Sequence, residues 1–272
     1  MTYSPIGFKI DRPYKGKILE WTSQALNLCV TPEHRVPFTH RDTPKKIQWT
    51  SAQWLADHMS GHHYVDLVSS WNPKYNRSRK IWGMDTAVFA QFMGLYLSEG
   101  SYGKTRITIY QNKIDERMQR VLDETGWPWK RANECWRCDR TALARRFRKF
   151  GKAADKRVPS EIKNMPPDLI RLFIEAYTWG DGHIRKRPNG AVEHTLFTVS
   201  RDMAGDMQEL AQKAGWNSSC RLVKPQDSVI TEDGKPRLIH NDGGYCITLK
   251  KRASRAEFLQ QNFREIDYDG RV

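Results

Sequence analysis

The sequence predicts a mixed α/β (α+β) protein built on a pseudo-symmetric pair of αββαββα units. Three observations carry that prediction. Two largely apolar stretches, Phe92 to Gly100 and Ile174 to Gly182, both close on a carboxylate followed by glycine. Downstream of each, Met118-Gln119 and Met207-Gln208 are followed at identical spacing by Gly126-Trp127 and Gly215-Trp216, an internal repeat. Between motif and repeat in the first copy, Lys104 to Tyr110 alternates with the period of two that marks a half-buried strand.

Taken in order, the elements begin at Tyr14-Lys15-Gly16-Lys17-Ile18, which resembles the strand that commonly leads into a block like that of residues 28–36 in a known family. A helix through Trp54 and Leu55 follows, capped by the hydroxyl of Thr50 or Ser51. The first motif helix ends at Glu99. In the next strand Lys104, Arg106, Thr108 and Tyr110 form a basic and polar face, with Thr105, Ile107 and Ile109 toward the core. Gly126 and Gly215 are expected to terminate helices in the left-handed conformation. In the second copy Arg185-Lys186-Arg187 enters a Pro-Asn-Gly turn, and Glu193 to Val199 returns as the partner strand. That copy is lengthened by insertions around Arg185 to Gly190 and Pro225 to Gly243, and Tyr245 to Lys250 forms a late strand.

The position of the two acids is informative because a carboxylate in the last turn of a helix opposes the macrodipole. Gly94 and Ser98 in the first helix, and Ala176 and Gly180 in the second, are four apart and share one face. Faces that small let two backbones pack closely, which would bring Glu99 and Asp181 together at one end. Two like charges there raise each other's pKa unless a cation intervenes, and a hard divalent ion with oxygen ligands, Mg²⁺ or Mn²⁺, resolves the conflict. A single helix ending in Glu-Gly would be an ordinary frayed terminus; two in register with a repeat are not.

Lys and Arg number 45 against 31 Asp and Glu, for a formal charge of +14 and a pI near 9.6. That balance favours a polyanionic partner through counterion release, although a solvated basic face would give the same totals. No apolar run approaches the roughly 18 residues of a membrane span, and no signal peptide is evident, so a cytoplasmic location is expected. The five cysteines, Cys29, Cys135, Cys138, Cys220 and Cys246, are odd in number and irregularly spaced, as in a reducing compartment. Cys135-Trp136-Arg137-Cys138 lacks a matching second pair, which favours ordinary strand cysteines over structural zinc.

The paired acid-glycine helices resemble those of the LAGLIDADG homing endonucleases. The approach to the second motif, Lys156-Arg157-Val158-Pro159-Ser160-Glu161-Ile162 and then Asp168 to Glu175, is similar to the segment preceding the second motif in intein-borne members. The resemblance spans roughly residues 82 to 265 and departs from the family pattern at Glu99, where Asp is usual, and at Leu97, the motif's other acidic position. It implies a monomeric, metal-dependent endonuclease, bacterial or phage-encoded, that cuts both strands of a long asymmetric DNA site. Glu99 and Asp181 would hold the metal, and Lys156 and Lys250 would stabilise charge at the scissile phosphates. DNA would lie across a saddle of strands, contacted first by Lys104, Arg106, Thr108 and Tyr110, then by Lys130, Arg137, Arg185 and Arg187.

A second resemblance lies upstream. Leu28 to Val36 is similar to the intein block in which a Thr and a His three apart, here Thr31 and His34, polarise the N-terminal splice junction. The plain alternative is a strand-end turn. The resemblance implies a partial, all-β Hint-like domain over residues 1–80, repeats over 81–155 and 156–265, and a return to the first domain over 266–272. The chain opens Met1-Thr2-Tyr3 and closes Tyr268 to Val272, without the terminal nucleophile or His-Asn of an intein, so splicing would need further segments in cis or in trans. Three function classes follow: an active endonuclease, a nucleic-acid-binding maturase or regulator without cleavage, and a fragment of a splicing element.

Overall fold

The computed structural model describes residues 13–23, 26–66, 71–111, 116–188, 190–225, 228–232, 235–239, 243–250 and 255–269. The expectations drawn from Met1 to Tyr3 and from residues 270–272 lie outside the described residues. The chain divides into two compact units, one of residues 1–70 with 252–272 and one of residues 71–251.

The first unit contains β1 (Gly16–Thr22), β2 (Asn27–Val30), β3 (Arg35–His40), β4 (Thr43–Ser51), α1 (Ala52–Asp57) and β5 (His63–Asp66). Ser51 caps α1 by accepting from the Trp54 amide at 3.2 Å. The second unit runs α2 (Thr86–Glu99), β6 (Gly100–Tyr102), β7 (Ile107–Tyr110), α3 (Glu116–Glu124), β8 (Lys130–Ala132), β9 (Cys135–Cys138) and α4 (Thr141–Phe147). It continues through α5 (Ser160–Lys163), α6 (Pro167–Asp181), β10 (Gly182–Lys186), β11 (Val192–Thr198), α7 (Arg201–Lys213), β12 (Asn217–Val223), β13 (Ser228–Glu232), β14 (Lys235–Ile239) and β15 (Gly244–Lys250). The chain then re-enters the first unit as β16 (Arg255–Glu257) and β17 (Phe263–Tyr268).

Those last strands close the first unit. β17 pairs antiparallel with β1 from Gly16 opposite Tyr268 to Trp21 opposite Phe263, and β16 pairs with β5. The return therefore starts well before residue 266, because β16 and the buried Phe258 complete this unit's core of Leu19, Trp21, Val36, Phe38 and Leu55. The other division falls before Trp71, whose indole donates to the Met165 carbonyl at 2.7 Å and belongs to the second unit. Thr31 to His34 is a turn between β2 and β3, closed by the His34 amide on the Thr31 carbonyl at 3.1 Å and held against the start of α1.

In the second unit the two copies share one plan. Sheet order β6-β7-β9-β8 is matched by β10-β11-β15-β12, with the β13-β14 hairpin inserted between the last pair. Gly126 (φ +68°) and Gly215 (φ +78°) end α3 and α7 in the left-handed conformation. The first copy is a complete αββαββα unit. The second differs from the expectation: among the described residues no helix follows β15 before the chain returns to β16. The strand around Ile107 is also shorter than its alternation indicates, since Lys104 and Thr105 form a bend. Lys213 anchors the entry to this unit; its buried ammonium donates to the Lys163 carbonyl at 2.7 Å and lies 4.5 Å from the Trp71 ring centre. No helix of the described residues is long and apolar enough to cross a membrane.

His63 is 6% exposed in the first unit. Burial pushes its imidazole below the ordinary value, and His40, His58 and His62 add repulsion, against the hydrogen bond from Nδ1 to the His58 carbonyl at 3.0 Å. The unfolded chain therefore takes up this proton first, so the contribution to stability is complete above about pH 6.5 and is lost as pH falls below it. The first unit's thermal midpoint is expected to drop between pH 7 and pH 5, with a shallower slope in His63→Gln; an unchanged slope would assign the drop to other groups.

Candidate functional site

α2 and α6 lie side by side with almost no side chain between them. A Cβ built on Gly94 would sit 2.3 Å from the Phe173 carbonyl oxygen and 3.0 Å from Ala176 Cβ. One on Gly180 would sit 2.4 Å from Glu99 Cγ and 2.5 Å from Ser98 Oγ. The four small residues named from their spacing are thus the contact itself. The Ser98 hydroxyl turns back to donate to the Leu95 carbonyl at 3.0 Å, so that its hydrogen bond is satisfied within its own helix while its oxygen lies over Gly180. Gly100 and Gly182 then start the first strand of each copy where a Cβ would strike Tyr96 and Thr178 respectively.

The consequence is that two carboxylates share one end of a helix pair. Burial pushes the Glu99 carboxyl up to about 7, with repulsion from Asp181 adding to it and Lys156 opposing it. Asp181 is exposed as a residue, but the loss of solvent around its carboxyl raises its pKa, again against Lys156. Lys156 enters from the segment between the copies. Its ammonium donates to the Leu97 and Ser98 carbonyls at 3.0 and 3.3 Å, satisfying the open C-terminus of α2. Burial lowers its pKa while Asp181 and Glu99 raise it. Its own carbonyl accepts from the Ser200 hydroxyl at 2.6 Å, and that hydroxyl accepts from the Met203 amide at the start of α7. Lys156 is therefore fixed by both copies.

Lys250 is not brought to the acids. It lies in register with Glu193 and Asn217, three positions beyond Ile247, which is level with Leu196 and through it with Gly182. That is roughly 10 Å along the strand and two strands away from the helix end.

The polar faces of the two sheets carry most of the remaining candidates. In the first, Lys130, Arg137, Thr108 and Ser101 stand in one cross-strand row. Lys130 is exposed, but Thr108 is 6% exposed and closed off within that row, against the expectation of a free contact. Tyr110 is 54% exposed; Lys104 is exposed in the bend, and Arg106 pairs with Asp139 at 3.3 Å. In the second sheet Arg185 is opposite Glu193, whose carboxylate is held by Arg187 at 2.6 Å. His183 and Arg221 are exposed and alternate in phase with this face. Neither stood out in the sequence, although His183 keeps the period of two with Arg185. Cys135 and Cys138 lie on β9, while Cys220 and Cys246 lie on strands of the other sheet. Among the described residues no three His, Cys, Asp or Glu converge as a metal group.

Two carboxylates at adjoining helix ends suit Mg²⁺, which binds through one or two protein carboxylates and leaves positions for water and phosphate. They do not suit zinc, which takes three or four protein ligands.

Comparison with known proteins agrees with this geometry in its second half. Residues 168–239 match the family model of a LAGLIDADG-like domain. The match begins in α6 and ends with β14, short of β15. Curated relatives include the DNA gyrase A subunit of Mycobacterium kansasii, 27% identical over 40% of this chain and 17% of its own length. Another is the A-type ATP synthase A subunit of Pyrococcus abyssi (strain GE5 / Orsay), 26% identical over 77% of this chain and 23% of its own. The chain thus spans less than a quarter of either relative. Among solved structures, the N-terminal LAGLIDADG domain of DUF199/WhiA aligns with TM-score 0.37 and 8% identity over 67% of this chain and 87% of that one.

Gly180→Ala is expected to cost about 1–3 kcal/mol through overpacking against Glu99, seen as a lower denaturant midpoint of the second unit; an unchanged midpoint would mean that the helices separate freely. The raised Glu99 carboxyl keeps its proton in the folded state from its ordinary value of 4.5 up to about 7, whereas the unfolded chain loses it. Stability of this unit should therefore fall as pH rises through that window in EDTA, and Mg²⁺ should restore it at pH 8. Thermal melts of the wild type and of Glu99→Gln, which should lack the slope, check the sign.

Proposed function

We propose that the second unit is a metal-dependent endodeoxyribonuclease of the intein-borne homing type, cutting both strands of a long asymmetric duplex site. The observation that supports it is the convergence of Glu99, Asp181 and Lys156 at the shared end of two helices, from which two strand-paired sheets continue. Charge agrees: residues 71–251 hold 33 Lys and Arg against 21 Asp and Glu, most of the chain's excess.

Hydrolysis joins a water oxygen to phosphorus and breaks the bond to the leaving sugar oxygen. Glu99 and Asp181 would hold Mg²⁺ or Mn²⁺, which when bound lowers the pKa of water and screens phosphate charge. The two carboxylates orient that water and accept hydrogen bonds from it. Lys156, pinned on the end of α2, places a fixed positive charge where charge accumulates on the phosphorane. The polar rows around Lys130, Arg137, Arg185 and Arg221 hold the duplex by its phosphates and meet base edges in the major groove.

Two further readings each have an observation behind them. Glu99 and Leu97 stand where the LAGLIDADG pattern usually carries Asp and a second acid, which suits a binding protein on the same scaffold. For a splicing-type first unit, two relatives of unrelated name match this chain over small parts of their own lengths, as hosts of one inserted element would. The discontinuous first unit, closed by β17 on β1, fits such an element.

Asp181→Asn is expected to abolish double-strand cleavage of a genomic or phage DNA pool in Mg²⁺ while leaving duplex retention in Ca²⁺ within a few-fold of wild type. Sequencing of new ends checks it; cleavage by the variant equal to wild type sinks the assignment.

A further inference from the structure

An open cavity of about 700 Å³ adjoins the Asp181 carboxylate, and phosphate hydrolysis does not account for it. A divalent ion and its waters need a small part of that volume; the size falls in the range of sites for organic ligands. Both copies contribute walls: Tyr102 from β6, Phe197 and Val199 from the end of β11, Tyr245 from β15. Phe197 and Val199 each remain 47% exposed. Neighbouring apolar side chains left open inside one concave surface, rather than scattered singly, mark a face that a ligand covers.

The polar end of the cavity is equally specific. Lys152 lines it with its ammonium 4.9 Å from the Tyr102 ring centre, and Lys156 and Asp181 complete it. Aromatic walls leading to two ammonium groups against one carboxylate leave a net positive end, which suits a planar ring bearing an anionic substituent. The walls are held in place: the Tyr177 hydroxyl donates to the Phe197 carbonyl at 2.9 Å, and Gly244, at φ +141°, lets β15 approach so closely that a Cβ would lie 2.7 Å from the Thr198 carbonyl.

The two copies line the cavity unequally. Val223, Gly243 and Gly244, at the root of the segment carrying β13 and β14, help to line it. In the first copy the corresponding turn between β8 and β9 is only Asn133 and Glu134.

We propose that this cavity receives one nucleotide, its base against Phe197 and Tyr245 and its phosphate toward Lys152 and Lys156. The proposal rests on the endonuclease reading of the adjoining acids when the nucleotide is one extruded from bound DNA beside the scissile phosphate. Extrusion sacrifices stacking and pairing, which burial of the base on aromatic walls offsets. Because the inserted segment that lines the cavity has no equal in the two-residue turn of the first copy, extrusion would be confined to one strand.

The test uses the full chain in Ca²⁺ with its mapped target carrying 2-aminopurine at successive positions of each strand around the cut. One position on one strand should brighten at least about threefold on binding. Phe197→Ala and Lys152→Ala should each reduce that gain by more than half. In parallel, calorimetric titration with free deoxynucleoside monophosphates reads the other source of the same chemistry. Binding of a monophosphate, weakened in both variants, with every duplex position dark, would assign the cavity to a free nucleotide. A duplex that is bound and cut with every position dark, together with no monophosphate binding, overturns the proposal and leaves the endonuclease reading standing. Failure to bind or cut any duplex would instead remove the endonuclease reading, and monophosphate binding would then decide the cavity alone.

Discussion

The backbone contact between α2 and α6 constrains everything around it, because Gly94 meets the Phe173 carbonyl and Gly180 meets the Glu99 side chain at distances that admit no Cβ. Such an approach removes the freedom of the two helix ends to splay. Their C-terminal dipoles and their terminal carboxylates are then obliged to share one place, an arrangement that packing alone would disfavour. The strands that follow start at Gly100 and Gly182 directly from those ends, so the positions of both sheets derive from the same contact.

Lys156 resolves only part of the electrostatic conflict. One ammonium, lodged on the Leu97 and Ser98 carbonyls, serves the open end of α2 and faces two acids. Glu99 remains raised to about 7 despite it, so the local charge is incomplete without a further cation. On the endonuclease reading, a hard metal ion held by Glu99 and Asp181 would supply that positive charge. The two copies are unequal here: Lys156 has its counterpart in neither Lys250 nor, among the described residues, Arg77 or Lys80, which are paired with Asp168 and Asp85.

In sequence the first unit is interrupted by the second rather than simply preceding it. β1 finds its partner in β17 and β5 finds its partner in β16, across the whole intervening segment. Trp21, Phe258 and Phe263 lock that closure through ring contacts at 5.4 and 4.9 Å. The excess positive charge resides mainly on residues 71–251, which separates the basic unit from the β unit that flanks it along the chain.

Local chemistry was legible in the sequence wherever one residue type could satisfy only one conformation. Small residues four apart on two helices, the two acid-glycine endings, the glycines after α3 and α7, and Ser51 as a cap each follow from sterics or from a single hydrogen bond. Alternation at Ile107 and Ile109 correctly placed their side chains inside. What sequence left undetermined depends on contacts between distant segments. Register, not spacing, carried Lys250 away from the acids; neighbouring strands, not polarity, buried Thr108; and pairing with β5 and β1 brought residues 255–268 back to the first unit. The cavity beside Asp181 had no sequence signal at all, because its walls come from Tyr102, Lys152, Phe197 and Tyr245. Those positions acquire a common surface only when two sheets and the segment between them fold against the same pair of helices.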